Sequence, residues 1–230
     1  MCPQIFHHPF SRVVCVFGQE PTCSFLSVLL DPQTHADSTE TLIVEGPEFD
    51  LLPAHERMVD NTASALEGEP RARDRLSMVL ESVRDQYDII LVDNEPSINV
   101  LTDNALRNSD GVIIPTYAEE LSVPGLDRLQ NQTASIEEYY GPVNVLALVI
   151  NRIEANNQAE AMVDRLRDGF GEHLPVVEIR KRVALQRSLV QEGRSVITAD
   201  ERTDMEERLE DLATIVETEL LDQLTEVQHD

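Results

Sequence analysis

Apolar positions along this chain fall into two kinds of segment. Short runs rich in β-branched residues recur at Arg12 to Phe17, Ser27 to Leu30, Thr41 to Val44, Asp88 to Val92, Val112 to Ile114, Val143 to Ile150, Val176 to Ile179 and Ser195 to Ile197. Their near-continuous hydrophobicity, without polar alternation, predicts buried strands of a sheet covered on both faces. Helical patterns lie between them, notably Arg73 to Asp85, Val100 to Asn108, Pro124 to Tyr139, Gln158 to Phe170 and Thr203 to Val227. The alternation predicts a three-layer α/β fold, a mainly parallel sheet flanked by helices. In the last helix Met205, Leu209, Leu212, Val216, Leu220, Leu224 and Val227 recur at spacings of three and four, so one face is expected to pack on the domain. Thr203 and Glu206 have capping-box spacing at its start. Its outer face is acidic, whereas a membrane-surface helix carries Lys or Arg there. Gly46 to Pro70, with two Gly and three Pro, is the most loop-like stretch. No internal repeat or low-complexity linker interrupts the chain, and a single domain over 1–230 is the expectation.

Composition narrows the class. With 230 residues, 41% hydrophobic and 27% charged, the chain reads as globular and as one large domain. The longest apolar stretch, Val143 to Ile150, is interrupted by Asn144 and falls well below the roughly 20 residues that cross a bilayer. The first residues lack both a basic start and an apolar run. No membrane association is expected, and the placement read from these features is cytoplasmic. Cys2, Cys15 and Cys23 show no CxxC or framework spacing and are read as reduced thiols; with His7 or His8 they fit no defensible zinc pattern.

Charge adds more. Acidic side chains number 43 against 18 basic ones, a formal −25, and of the bases only Lys181 is lysine. A field this negative repels nucleic acid in dilute salt and keeps a protein soluble where concentrated salt shrinks the Debye length, to about 3 Å at 1 M. A halophilic, salt-loaded cytoplasm accounts for it; an ordinary acidic protein with a chance lysine deficit is the plainer alternative.

Two segments end an apolar run in an acid. In YDIILVDNEPS, Tyr87 to Ser97, a strand delivers Asp93 to the carboxyl edge of the sheet, where open α/β folds bind ligands and where a carboxylate can hold Mg²⁺. The alternative is an Asp that only caps the next turn. In SVLLDPQTHADST, Ser27 to Thr39, a second expected strand ends at Asp31, which places two strand-end acids at one edge. Taken in order with NALRNSDGVIIP (Asn104 to Pro115), LALVINR (Leu146 to Arg152) and EIRKRVALQ (Glu178 to Gln186), the chain resembles the ParA/Soj family of deviant P-loop ATPases, which partition plasmids and chromosomes. The resemblance covers approximately Val28 to the last helix. It implies a P-loop NTPase-like fold, ATP and Mg²⁺ as cofactors, and a nucleotide-sandwich dimer. By position in the family motifs, it implies that Asp31 helps position the attacking water and Mg²⁺, Asp93 is the Walker B acid that holds the metal, and Asn151 contacts the adenine base. Arg180, Lys181, Arg182 and Arg187 fall where the family has residues that help bind nonspecific DNA; a solvated salt-bridge cluster is the competing reading. Leu29 replaces the family's first acid, Glu95 stands where a proline is usual, and Ala184 lies where relatives often have a further arginine.

The phosphate site departs furthest. The family's first strand runs into a KGGxGKTT loop whose amides and lysine hold the phosphates. Here Arg12 to Phe17 is followed by GQEPTCSF, Gly18 to Phe25, with one glycine and no lysine. The residues separating that strand from the expected Ser27 strand are also too few for a loop plus a crossover helix, so an element is expected to be missing and the fold N-terminally incomplete, with 1–27 a degenerate, truncated or misread part. Lysine and loop amides act on developing charge in phosphoryl transfer, and their loss predicts weak or no hydrolysis. The partners implied are a second copy or an intact ParA-like protein, a ParB-like protein and nonspecific DNA on the nucleoid. A non-enzymatic regulatory partner of an intact ParA and a MinD-like positioning ATPase are the alternatives.

Overall fold

The structure, a computed structural model, describes residues 13–18, 25–35, 38–46, 48–54, 63–94, 99–118, 138, 143–182 and 204–227. They group into two compact units, Met1–Ser109 and Asp110–Asp230, each treated by itself.

In the first unit β1 (Val13–Gly18) is the centre of a three-stranded parallel sheet, between β2 (Asp50–Ala54) and β3 (Ile89–Val92). Helices α1 (Phe25–Leu30), α2 (Pro32–His35), α3 (Thr39–Leu42), α4 (Ala63–Glu67), α5 (Arg75–Leu80) and α6 (Val100–Arg107) join the strands. The core gathers Phe25, Val28 and Leu29 of α1 with Leu52, Leu66, Leu76, Val79 and Val100, and the half-buried Ile90 and Val92 of β3 pack against it. Helix α6 starts where its pattern predicts, because the Asn99 side chain accepts from the Leu101 and Thr102 amides, donors a helix start leaves unpaired.

Four sequence expectations are corrected here. Ser27 to Leu30 is not a strand: it lies within α1, where Phe25, Val28 and Leu29 are buried at helical spacing. A short apolar run satisfies either period, and the neighbours decide. Thr41 to Val44 is likewise no strand, since Thr39–Leu42 is helical and Val44 makes only an isolated antiparallel bridge to Leu51. The loop-like stretch Gly46 to Pro70 contains β2 and α4; Pro53 is tolerated because β2 is an edge strand of this sheet. The crossover helix expected to be missing is therefore present as α1, and the connection from β1 runs to the parallel neighbour β2.

In the second unit β4 (Val112–Tyr117), β5 (Val145–Ile153) and β6 (Val176–Arg180) form another parallel sheet with β5 central. Helix α7 (Asn157–Phe170) buries Ala159, Met162, Val163, Leu166 and Phe170 against Leu148, Ile150 and Ile153. Helix α8 (Asp204–Val227) lays Met205, Leu209, Leu212 and Ile215 on Val149, Val177 and Ile179; Met205, Leu209 and Leu212 pack as expected, while Ile215, rather than the expected Val216, continues the face. The expected Pro124 to Tyr139 helix, apart from Glu138, and the Ser195 to Ile197 strand lie outside the described residues, as do Thr203 and the side chains of Leu224 and Val227.

Candidate functional site

Parallel strands end together, so each sheet has one carboxyl edge to which side chains are delivered. In the first unit β1 pairs with β3 through Val16 and Val92, and with β2 through Gly18 and Ala54. Asp93, one residue beyond β3, therefore stands beside the end of β1, and it is exposed. This is the strand-end placement expected of it.

Asp31 is not brought to that edge. It follows α1 rather than a strand; it accepts from the Thr34 amide at 3.3 Å, and its carbonyl takes the His35 amide. The Thr34 hydrogen bond, with His35 and Arg75 nearby, lowers its pKa below the ordinary carboxylate range, against a smaller opposing effect of burial. The pairing of two strand-end acids is thereby corrected: one acid terminates a strand and the other a helix. Among the described residues no cluster of three or more His, Cys, Asp or Glu is arranged to hold a metal ion.

β1 is followed along the chain by α1, the strand-then-helix order that flanks a phosphate cradle. A G-x-x-x-x-G-K-[ST] loop counted from Gly18 requires glycine, lysine and a hydroxyl residue at the positions of Cys23, Ser24 and Phe25. Phe25, in place of the magnesium-binding hydroxyl, is only 3% exposed and belongs to the core. No basic side chain occurs from Gly18 to Ser24. The residues present do not fit the phosphate and metal end of Mg²⁺·ATP.

The second edge is richer. Tyr117 of β4 is in register with Asn151 of β5, and Ile153 with Arg180 of β6. The β5–β6 register shifts between Ile150 and Ile153, a bulge of the kind that re-aims side chains beside sites. Within it Arg152 has φ of +54°. The Asn151 Oδ1 accepts the Arg152 amide at 2.7 Å. The Arg152 guanidinium lies 5.0 Å from the centroid of the Tyr117 ring. Nothing in the sequence marked Tyr117 or Arg152; the only signal was the Asn-Arg pair ending the LALVINR run.

The basic strip after β6 is paired throughout its described part. Arg180 donates to both carboxylate oxygens of Glu160, at 2.6 and 3.4 Å. Lys181 Nζ meets Glu154 at 2.6 Å, and Arg182 bonds both oxygens of Asp204. Arg167 of α7 joins Glu178 of β6. Hydrogen bonding to Glu160 raises the pKa of Arg180 and bonding to Asp204 raises that of Arg182; the same bonds lower those of Glu160 and Asp204. Three carboxylates from the β5–α7 connection, α7 and the start of α8 thus clamp the exit of β6. Arg187 lies outside the described residues.

Depressed carboxylate pKa values stabilise the folded state above the unfolded-state pKa, roughly 4 to 4.5, and that contribution is lost as pH falls through the lower folded values. Amide hydrogen exchange over 176–182, corrected for its intrinsic pH dependence, is therefore expected to speed up below about pH 4. In an E160Q/D204N variant the acid-side rise should be largely absent. An unchanged rise in that variant would place the acid sensitivity elsewhere.

Comparison with known proteins gives this geometry a lineage. The sequence profile described as an AAA domain matches residues 12–144, more than half of the chain and including β1 and the altered loop. Bacillus subtilis sporulation initiation inhibitor protein Soj is 27% identical over 175 residues, 75% of this chain and 63% of the relative. Thermus thermophilus chromosome-partitioning ATPase Soj is 32% identical over 143 residues, 60% of this chain and 53% of the relative. The chain spans about half the length of the curated relatives it matches. Among solved structures, the ATP complex of a Cyanothece McdA variant aligns with a TM-score of 0.71 at 14% identity, over 89% of this chain and 85% of that one. No helix of the described residues is long and apolar enough to cross a membrane. Two carboxyl edges on parallel α/β sheets, an acid at the end of β3 and a profile match that runs through both β1 and β3 lead to one placement: the chain belongs to the AAA domain family, within its ParA/Soj group.

Proposed function

We propose that this chain is a ParA/Soj-like chromosome or plasmid partitioning protein in which ATP hydrolysis is weak or lost. It works as a dimer, either with a second copy or with an intact ParA-like protein, in a cytoplasmic, nucleoid-associated setting. The relatives named Soj support partitioning, and the solved McdA complex holds ATP. The observation that carries the loss of hydrolysis is Phe25 in the core where the metal-binding hydroxyl is required, next to a loop without a basic residue. Phosphoryl transfer depends on positioned charge around the transferred group, and this chain does not supply it there. The same observation favours a second reading, a non-enzymatic partner that regulates an intact relative. The MinD-like alternative draws no support from α8, whose first turn holds Asp204, Glu206 and Glu207 and whose last turn has no basic residue.

DNA contact belongs to the proposal on stricter terms. Arg180, Lys181 and Arg182 each face a carboxylate, so phosphates must displace those partners to bind. The ion pairs and a net charge of −25 suit a halophilic cytoplasm in which salt screens the remaining repulsion.

A steady-state assay with labelled ATP and Mg²⁺ tests the catalytic half. Turnover is expected to be indistinguishable among the parent chain, Asp31→Ala and Asp93→Ala. Robust turnover abolished by Asp31→Ala refutes the loss of hydrolysis. Co-purification with an intact relative in the absence of nucleotide favours the regulatory reading.

A further inference from the structure

The first unit carries a second group of basic side chains, which differs from the strip after β6 in how its members are paired. The 3₁₀ turn Ala72–Asp74 is tied to α6 twice. Arg73 Nε meets the buried Asp103 carboxylate at 2.7 Å, and the Asn104 Nδ2 donates to the Ala72 carbonyl at 2.7 Å. These ties fix Arg71, just before the turn, relative to Arg107, the last residue of α6. Both arginines are exposed, and both face one carboxylate, Asp74, which lies 3.6 Å from Arg71 Nε and 3.7 Å from Arg107 Nη2. Neither distance is a hydrogen bond, and among the described residues the two guanidiniums have no other partner. Arg180, Lys181 and Arg182, by contrast, each hydrogen-bond a carboxylate of their own. Asp74 stands at the cap position of α5 yet makes no side-chain cap bond, the usual task of an acid there. Arg71 keeps φ of +56°, a left-handed backbone that a non-glycine residue holds only where its surroundings impose it.

We propose that Arg71 and Arg107 form a two-fork site for a phosphate dianion, free or as a small monoester, with Asp74 as its built-in competitor. A guanidinium fork takes two oxygens of an oxyanion at once. A tetrahedral phosphate can offer a pair to each fork, whereas the single Asp74 carboxylate is shared between both and bonds neither. Arg71, Arg73 and Arg107 face only Asp74 and Asp103, an excess of one positive charge, and Glu69 beside them is committed to Arg75. Because Arg73 and Asn104 already hold the turn on α6, little ordering of the backbone remains to oppose binding. The whole-chain charge sets the size of the ligand: a formal −25 repels a polyanion along its length, while a small dianion gains its affinity from short-range bonds. The strained backbone of Arg71 aims its fork at the expense of stability. The inference stands apart from the partitioning reading and takes no ligand from it.

Titration of the full chain with inorganic phosphate and with glycerol 3-phosphate, at constant ionic strength set with chloride, tests this by NMR of the arginine Nε–Hε groups. Both probes are expected to shift the Arg71 and Arg107 signals saturably, with similar dissociation constants; a tenfold preference for one supports the site and names the free ion or the ester as its source. Arg71→Gly suits the left-handed backbone, so its melting temperature should hold or rise while affinity falls about tenfold, the loss of charge-assisted hydrogen bonds. Arg107→Gln should lose about as much, and the double variant little more, because one ligand bridges both forks. Asp74→Asn has no cap bond to lose, so it should leave the melting temperature unchanged and tighten binding about fivefold, the repulsion of one charge at about 4 Å in water. Shifts that never saturate, or that chloride alone reproduces, overturn the site and leave ordinary solvated ion pairs. Parent-like affinity in Arg71→Gly and Arg107→Gln overturns it equally. Duplex DNA that displaces phosphate and binds these arginines more tightly overturns the small-ligand assignment.

Discussion

Asn104→Ala is expected to destabilise the first unit by about 2–4 kcal/mol, read from urea midpoints, with exchange protection lost first over 72–80. Asn104 is 2% exposed, yet three of its hydrogen-bonding positions are met. Its Oδ1 accepts the Leu76 amide at 2.9 Å; its Nδ2 donates to the Ala72 and Val100 carbonyls, each at 2.7 Å. The Leu76 amide is one of the donors that the start of α5 leaves unpaired, and Asp74, the residue at the cap position, makes no side-chain cap bond. Asn104 therefore caps α5 from the neighbouring helix α6. Alanine strands a buried donor and the Ala72 carbonyl together, and buried unmet polar groups cost more than the net gain of forming their bonds. Asn104→Asp keeps an acceptor for Leu76 but turns a carboxylate oxygen toward carbonyls, so it should be at least as harmful. A loss below about 1 kcal/mol in the alanine variant would mean that water replaces the side chain at little cost.

Arg75→Met should cost about 2–3 kcal/mol, mainly by releasing the end of α1. The Arg75 side chain is 10% exposed. It donates to the Leu30 carbonyl at 2.6 Å and to the Pro70 carbonyl at 3.0 Å, with Glu69 at 3.4 Å as counter-charge. A cation on the last carbonyls of a helix satisfies groups the helix cannot pair itself and suits the helix dipole. Methionine fills the space of the stem but offers no donor. Arg75→Lys restores one donor and should recover only part of the loss, because an ammonium does not reproduce the guanidinium fork. Both residues fasten the turn before α5, so the double variant with Asn104→Ala should fall short of the sum of the two losses. Additive losses would show that the two staples act independently.

Neither staple was legible as such. Asn104 entered the sequence reading as a position in the Val100 to Asn108 helical pattern and in the family motif NALRNSDGVIIP, and Arg75 only as a position in a helical pattern. What makes them structural is a set of partners up to 45 residues away in the chain, which no local window contains.

The sequence alone decided whatever depends on one segment and its immediate flanks. The strands β1 and β3 to β6, the stripe of α7, the first turns of α8, the extent of α6, the acid after β3 and the absence of a basic residue after β1 all follow from runs and periods that neighbouring residues enforce. Tertiary structure decided what a short or charged segment cannot choose by itself. Phe25 to Leu30 is apolar enough for strand or helix, and it became a helix because Phe25, Val28 and Leu29 could then share one core face; with it Asp31 left the sheet edge. The basic strip reads as an open anion site in one dimension, and Glu154, Glu160 and Asp204 close it in three. Arg152 settles on Tyr117 for the same reason: Coulomb and stacking energies depend on distance in space, and the chain order does not contain it.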